Sequence, residues 1–321
     1  MPVGSELARR IEDQLSEEFS QGGRNGPIKG ALMRSRGGMR SDDERAANQI
    51  RRSIFVQSSI DDLLHEWRDD AAMIRVGKIA IANAILSAER QSDLASTSIG
   101  AGEQAYAAIS ALRDCWLAFV LRNLRKGRGI GRRDVEKVFE EVAFIVFNYD
   151  RCIEQYLYCA FQSVAGLNPG SAAAALAQVP IVHVYGDLGR LPFNAANPHD
   201  ILFGSEDIIY EHAFNRIKTY TEEDHDEKNL KIIHTLVQNA ERIVFLGMGY
   251  HERNMTLLFS GLQLRPNCKV WGTARDVDEV RLQAVQSILS TSEGRSRARF
   301  EGADCNSLLA RFTADIFEST L

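Results

Sequence analysis

Apolar residues recur at every fourth position near the start of the chain, with Leu7, Ile11, Leu15 and Phe19 forming one stripe. That spacing predicts an amphipathic helix over residues 5–19. Gln21 to Ser41 is rich in glycine and arginine and reads as loop with one short helix around Ile28 to Arg34. From Ser59 to Leu124 the pattern is helical again: Ser59 followed by Asp61 and Asp62 suits an N-terminus, and Ile79, Ala82, Asn83 and Leu86 share a face. A second long helix is expected from Glu103 to Leu124. The basic turn Arg125 to Arg133 closes this stretch, and without interleaved aromatics it reads as a solvated corner rather than a nucleic-acid patch.

Beyond that turn the texture changes to short continuous apolar runs. Val142 to Phe147, Pro180 to Tyr185, Ile243 to Leu246 and Lys269 to Trp271 have the character of parallel strands buried on both faces. Helical stretches separate them, which implies right-handed crossovers. The expected fold class is therefore α/β, a Rossmann-type doubly wound parallel sheet with an all-helical insertion. Residues 1–35 would form the N-terminal part of the Rossmann-like domain, 36–133 the insertion and 134–321 the main domain.

Composition narrows the classes without naming one. With 321 residues and 45% hydrophobic content the chain can bury a large core, and 38 basic against 43 acidic residues give a net charge of -5. Nothing in that balance calls for nucleic acid or an anionic membrane. No signal-peptide pattern opens the chain and no run suggests a membrane span, so a cytoplasmic protein is expected. The cysteines Cys115, Cys152, Cys159, Cys268 and Cys305 are odd in number and lack metal-binding spacing, which reads as buried free thiols and no metal site.

In doubly wound sheets ligands sit beyond the carboxyl ends of strands. Those ends carry Asn148-Tyr149-Asp150, then Gly186-Asp187-Leu188-Gly189, then Gly247-Met248-Gly249-Tyr250, then Gly272-Thr273-Ala274. Glycine there lets a backbone approach a phosphate or ribose, although a turn explains any one of them equally well. The Gly247-Met248-Gly249 loop fails as a dehydrogenase fingerprint, because the third glycine position is Glu252. Asn148 and Asp150 are open to a second reading, as caps of a helix starting at Arg151.

The ordered segments FNYDRCIEQYL, HVYGDLG, IVFLGMGYHERN and VWGTA resemble the sirtuin-like family of bacterial NAD-cleaving defence proteins, over most of residues 135 to 321. PVGSELARRI, SIDDLLHEW and GKIAIANAIL extend the resemblance weakly toward antiphage relatives with a helical insertion. The resemblance implies NAD as substrate or ligand. It assigns Asn148 to the nicotinamide ribose or its attacking water and Asp150 to the acidic partner of that motif. Gly247 and Gly249 would touch phosphate and ribose, Thr273 would lie near the adenosine ribose, and Gly186 belongs to the second motif. Cleaving the nicotinamide bond forms an oxocarbenium-like ribose, which needs positioned polar groups more than a strong nucleophile.

Three departures qualify this. Tyr185 stands where the family places its histidine, and His183 lies two residues earlier on the same strand face. His183, with an ordinary pKa near neutrality, is the candidate base; the Tyr185 phenol, with a pKa of about 10, is a poor acceptor, and a satisfied core histidine is an equal reading of His183. The family's deacylases carry a four-cysteine zinc module between the second and third motifs. No cysteine lies between Gly186 and Gly247, which points away from deacylation and toward NAD hydrolysis. Finally, the family's opening strand and Gly-Ala-Gly loop are missing before PVGSELARRI, as though Met1 were internal to a longer reading frame.

Two functions are therefore expected. One is a sirtuin-like NAD hydrolase of antiphage defence, releasing nicotinamide and ADP-ribose. The alternative is a catalytically silent module that binds NAD, an ADP-ribose-like nucleotide or a partner protein. A defence-system or phage protein as partner, and an oligomer, are compatible with either.

Overall fold

The computed structural model describes residues 4–35, 37–57, 59–95, 103–127, 137–193, 200–208, 210–219, 227–290 and 298–318. The part of the basic turn from Arg128 to Arg133 lies outside them, as does Met1. In chain order the helices are α1 (Gly4–Phe19), α2 (Pro27–Arg34), α3 (Ser41–Ser53), α4 (Ile60–Glu66), α5 (Ala71–Gln91), α6 (Glu103–Ala111) and α7 (Trp116–Gly127). Then follow β1 (Phe144–Val146), α8 (Cys152–Ala165), α9 (Pro169–Leu176), β2 (Ile181–His183), α10 (Tyr210–Arg216) and α11 (Glu227–Asn239). The chain continues through β3 (Arg242–Phe245), α12 (Glu252–Phe259), β4 (Lys269–Thr273), α13 (Glu279–Ile288), β5 (Ala298–Glu301), α14 (Cys305–Arg311) and α15 (Thr313–Phe317).

The contacts divide the chain into two compact units, one of residues 1–111 and 146–224, the other of 112–145 and 225–321. The expected boundaries at 35/36 and 133/134 do not coincide with this division: α1 packs on both α3 and α5. The strands are hydrogen-bonded in two groups, β1 with β2 and β3 with β4 and β5. The class is thus mixed α/β, with short sheets among many helices.

In the first unit, α1 buries Leu7, Ile11, Leu15 and Phe19, the stripe read from the sequence. Glu18, at its end, accepts the Ile28 and Lys29 N–H groups at 3.1 and 2.8 Å, so a carboxylate satisfies the first turn of α2. Ser59 caps α4 by accepting the Asp62 N–H, and Asp70 caps α5 by accepting those of Ala72 and Met73. Helix α5 is apolar almost all round because it is enclosed almost all round. Among the described residues it is the helix long and apolar enough to cross a membrane, and 83% of its apolar window is buried inside the protein. Its charged groups are paired within the unit: Arg75 with Asp43, Lys78 with the Phe214 carbonyl at 2.9 Å, and Glu89 with Arg151.

The second unit centres on a parallel sheet in the order β3-β4-β5. Its register sets Phe245 beside Gly272 and Gly272 beside Phe300. The central strand β4 is buried from Val270 to Thr273, as both its edges are paired. Two expectations change here. The long helix expected over Glu103 to Leu124 is two helices, broken at 112–115, and β5 is a strand that the run pattern does not announce.

Candidate functional site

The loop after β1 is fixed residue by residue. The Asn148 carbonyl accepts a hydrogen bond from His183 Nδ1 at 3.0 Å. Tyr149 is buried, and its hydroxyl donates to Asp61 at 2.8 Å and lies 3.2 Å from the Lys218 carbonyl. Asp150 is buried and accepts the Cys152 N–H at 3.2 Å, so its carboxylate does serve the helix start, one of the two readings its sequence position allowed. Arg151 is almost completely buried, and its backbone N–H donates to Glu89 at 3.1 Å. Only Asn148 turns its side chain outward: it is exposed, and its carboxamide makes no hydrogen bond to any described residue. A fixed backbone thus presents one free amide group at a strand end.

Beneath this loop His183, the last residue of β2, is buried between two acceptors. Its Nδ1 meets the Asn148 carbonyl, and its Nε2 lies 2.8 Å from Oε1 of Glu154 on α8. A neutral imidazole has one N–H and can serve one of these partners; serving both requires a ring that carries two. Burial alone would lower the His183 pKa, but the hydrogen bond and charge of Glu154, the charge of Asp187 and the Asn148 carbonyl outweigh it and push it up to about 9. The ring is therefore charged at neutral pH. This raised value stands in place of the ordinary near-neutral one expected of His183.

Tyr185 and Gly186, also expected at the site, are packed into the unit. Tyr185 is buried with its ring edge-on to Phe147, centroids 6.0 Å apart, and its carbonyl accepts the Lys218 N–H at 2.8 Å. Gly186 has φ +77, and a Cβ there would collide with the Arg216 carbonyl oxygen. The backbone that approaches this glycine is the protein's own, so a turn and a close chain crossing account for it without a ligand. Asp187 pairs with Arg216 at 2.6 Å; burial favours its neutral form, yet the charges of Arg216 and His183 and the Gly189 N–H hold its pKa below the usual carboxylate range.

The other three expected residues lie in the second unit, where Gly247 and Thr273 meet each other. The Gly247 N–H donates to Thr273 Oγ1 at 2.8 Å, and the Tyr250 hydroxyl donates to the Thr273 carbonyl at 2.8 Å. Thr273 is buried, so its hydroxyl ties the glycine loop after β3 to the end of β4. Gly247 has φ +66 with open space where a Cβ would stand, and the Gly249 carbonyl accepts from Arg281 at 3.1 Å. Tyr250 takes the left-handed conformation (φ 51) that seats its ring edge-on to Phe245 and Phe300. Among the described residues no group of three histidine, cysteine or acidic side chains could hold a metal ion.

Sequence reading missed the most elaborate polar contact of the first unit, between Glu89 and Arg151. The Arg151 Nε and Nη2 donate to the two Glu89 oxygens at 3.1 and 2.6 Å, and its remaining N–H groups reach the Gly189, Ile201 and Leu202 carbonyls. Glu89 also accepts the Gly204 N–H at 3.0 Å. An arginine directly after the Asn-x-Asp segment and a glutamate inside an apolar helix were the available signals. No known protein family, curated protein or solved structure matches this chain.

Proposed function

We propose that this chain is a sirtuin-like NAD hydrolase that releases nicotinamide and ADP-ribose, built on a Rossmann-type nucleotide fold and acting in antiphage defence. The observation that carries the reading is the exposed Asn148 carboxamide on a loop whose other residues are buried and bonded. Fixing the backbone removes the main-chain part of the entropy of positioning that amide, which serves a transition state with little covalent chemistry. As the nicotinamide bond breaks, its electron pair leaves with neutral nicotinamide and positive charge develops on the ribose; the carboxamide oxygen would hold the water that adds to it and releases its proton to solvent. His183 acts in this scheme by holding Asn148, not by taking a proton.

Incubation of the purified chain with NAD, followed by chromatography for nicotinamide and ADP-ribose, tests the proposal. Equimolar release of both supports it; intact NAD after prolonged incubation contradicts it.

The second reading, a silent module that binds NAD or an ADP-ribose-like nucleotide, is favoured by a specific feature. His183 is charged and Asp150 is committed to the start of α8, so neither expected acid–base group is at liberty. Calorimetric binding of NAD without nicotinamide release would select it.

A further inference from the structure

The position of His183 has a consequence that does not depend on NAD. Its two ring nitrogens face two acceptors, the Asn148 carbonyl and the Glu154 carboxylate. The second Glu154 oxygen, Oε2, is buried and has no hydrogen-bond partner among the described residues, so His183 is the donor that this carboxylate engages there. For both bonds to stand the ring must carry both N–H groups, one proton more than a neutral imidazole beside a carboxylate. We propose that His183 and Glu154 form a proton-dependent latch on the Asn148 loop: with the extra proton present both bonds stand, and with it gone one of them breaks.

The groups around the latch set its direction. Glu154 faces His183 from α8, Asp187 from the loop after β2, and Arg216 at the end of α10 pairs with Asp187. The anionic neighbours Glu154 and Asp187 favour the charged ring, and Arg216 shields part of the Asp187 effect. Once the proton leaves, the Glu154 carboxylate repels the lone pair of Nε2. The ring can relieve this by turning its single N–H toward Glu154, which surrenders the Asn148 carbonyl. The latch therefore opens on the alkaline side, and the segment it releases is the one that presents the Asn148 carboxamide.

The Glu154→Gln variant separates this device from mere packing. A glutamine of the same shape can donate an N–H to Nε2 while Nδ1–H still serves Asn148, so a neutral ring satisfies both partners and the latch no longer needs a proton. The test is carbon-detected NMR of the uniformly labelled full chain from about pH 6 to about pH 10.5. It follows the His183 ring carbons, assigned by their loss in His183→Gln, and the Asn148 carbonyl carbon. In the wild type both signals should move together, with a midpoint near 9. In Glu154→Gln the ring should titrate at least about two pH units lower, and the Asn148 carbonyl should stop tracking alkaline pH.

A wild-type His183 midpoint near its ordinary value of about 6.5 would overturn the proposal, and so would a stationary Asn148 carbonyl while the ring titrates. If the chain unfolds before the alkaline midpoint, the comparison at about pH 8 decides. A ring charged in the wild type and neutral in Glu154→Gln sustains the latch; the same state in both refutes it. No NAD enters the experiment, so its outcome is independent of whether the chain cleaves NAD.

Discussion

Glu89 and Arg151 are joined by a buried two-pronged ion pair in which both carboxylate oxygens and every guanidinium nitrogen are engaged. The pair links helix α5 to the start of α8 and to the carbonyls of Gly189, Ile201 and Leu202. Removing one partner leaves the other charge buried and unpaired, which costs about 3 to 5 kcal/mol. Glu89→Ala should therefore lower the urea midpoint sharply or prevent folding. Replacing both residues with apolar ones of similar size should cost less than that single change.

The two glycines assigned to the site should respond differently to alanine. Gly247→Ala meets open space and carries only the left-handed backbone strain, about 1 to 2 kcal/mol. Gly186→Ala adds a collision with the Arg216 carbonyl oxygen, so its cost should exceed about 3 kcal/mol. Urea unfolding of the two variants checks the order; equal stability would mean that the 216–218 segment yields freely.

Stability should vary with pH on both sides. The pKa of His183 is raised to about 9, so its contribution is complete below its unfolded value of about 6.5 and is lost as pH rises through about 9. For a buried group that displacement corresponds to about 3 kcal/mol. The Asp187 pKa is lowered, so its contribution is present above about 3.9 and disappears as pH falls through its folded value. Urea midpoints measured across the range should fall at both ends, and Glu154→Gln should flatten the alkaline fall.

If NAD is cleaved, His183→Ala should impair turnover more than Tyr185→Phe. The first change frees the Asn148 carbonyl and strands the Glu154 carboxylate; the second removes one hydroxyl from a buried ring. Steady-state nicotinamide release from the two variants checks this. An inverted order would assign the functional role to Tyr185.

What the sequence reveals depends on how local each signal is. Strands β1 to β4 overlap the continuous apolar runs and α1 its four-residue stripe, although of these strands only β4 is buried along most of its length; β1 to β3 are mostly half-buried. Strand β5 (ARFE) carries two charged residues and one large apolar side chain, so no continuous apolar run marks it in the sequence. Helix α3 buries only Asp43, Ala46, Ala47 and Ile50 among charged neighbours, too narrow a face to stand out in the sequence. The sequence signals that Asn148 follows a strand, and the structure adds that its side chain is exposed while those of its three successors are buried. The state of His183 depends on Glu154 from α8 and Asp187 from the next loop, groups that adjacency in sequence does not bring together.

The central claim rests on Asn148, and nicotinamide release from NAD by the wild type and by Asn148→Ala tests it most directly. The side chain is exposed and makes no bond to a described residue, so the variant should fold with an unchanged urea midpoint. Loss of a transition-state contact should lower release by about a hundredfold to a thousandfold. A folded Asn148→Ala protein that releases nicotinamide at the wild-type rate would contradict the account.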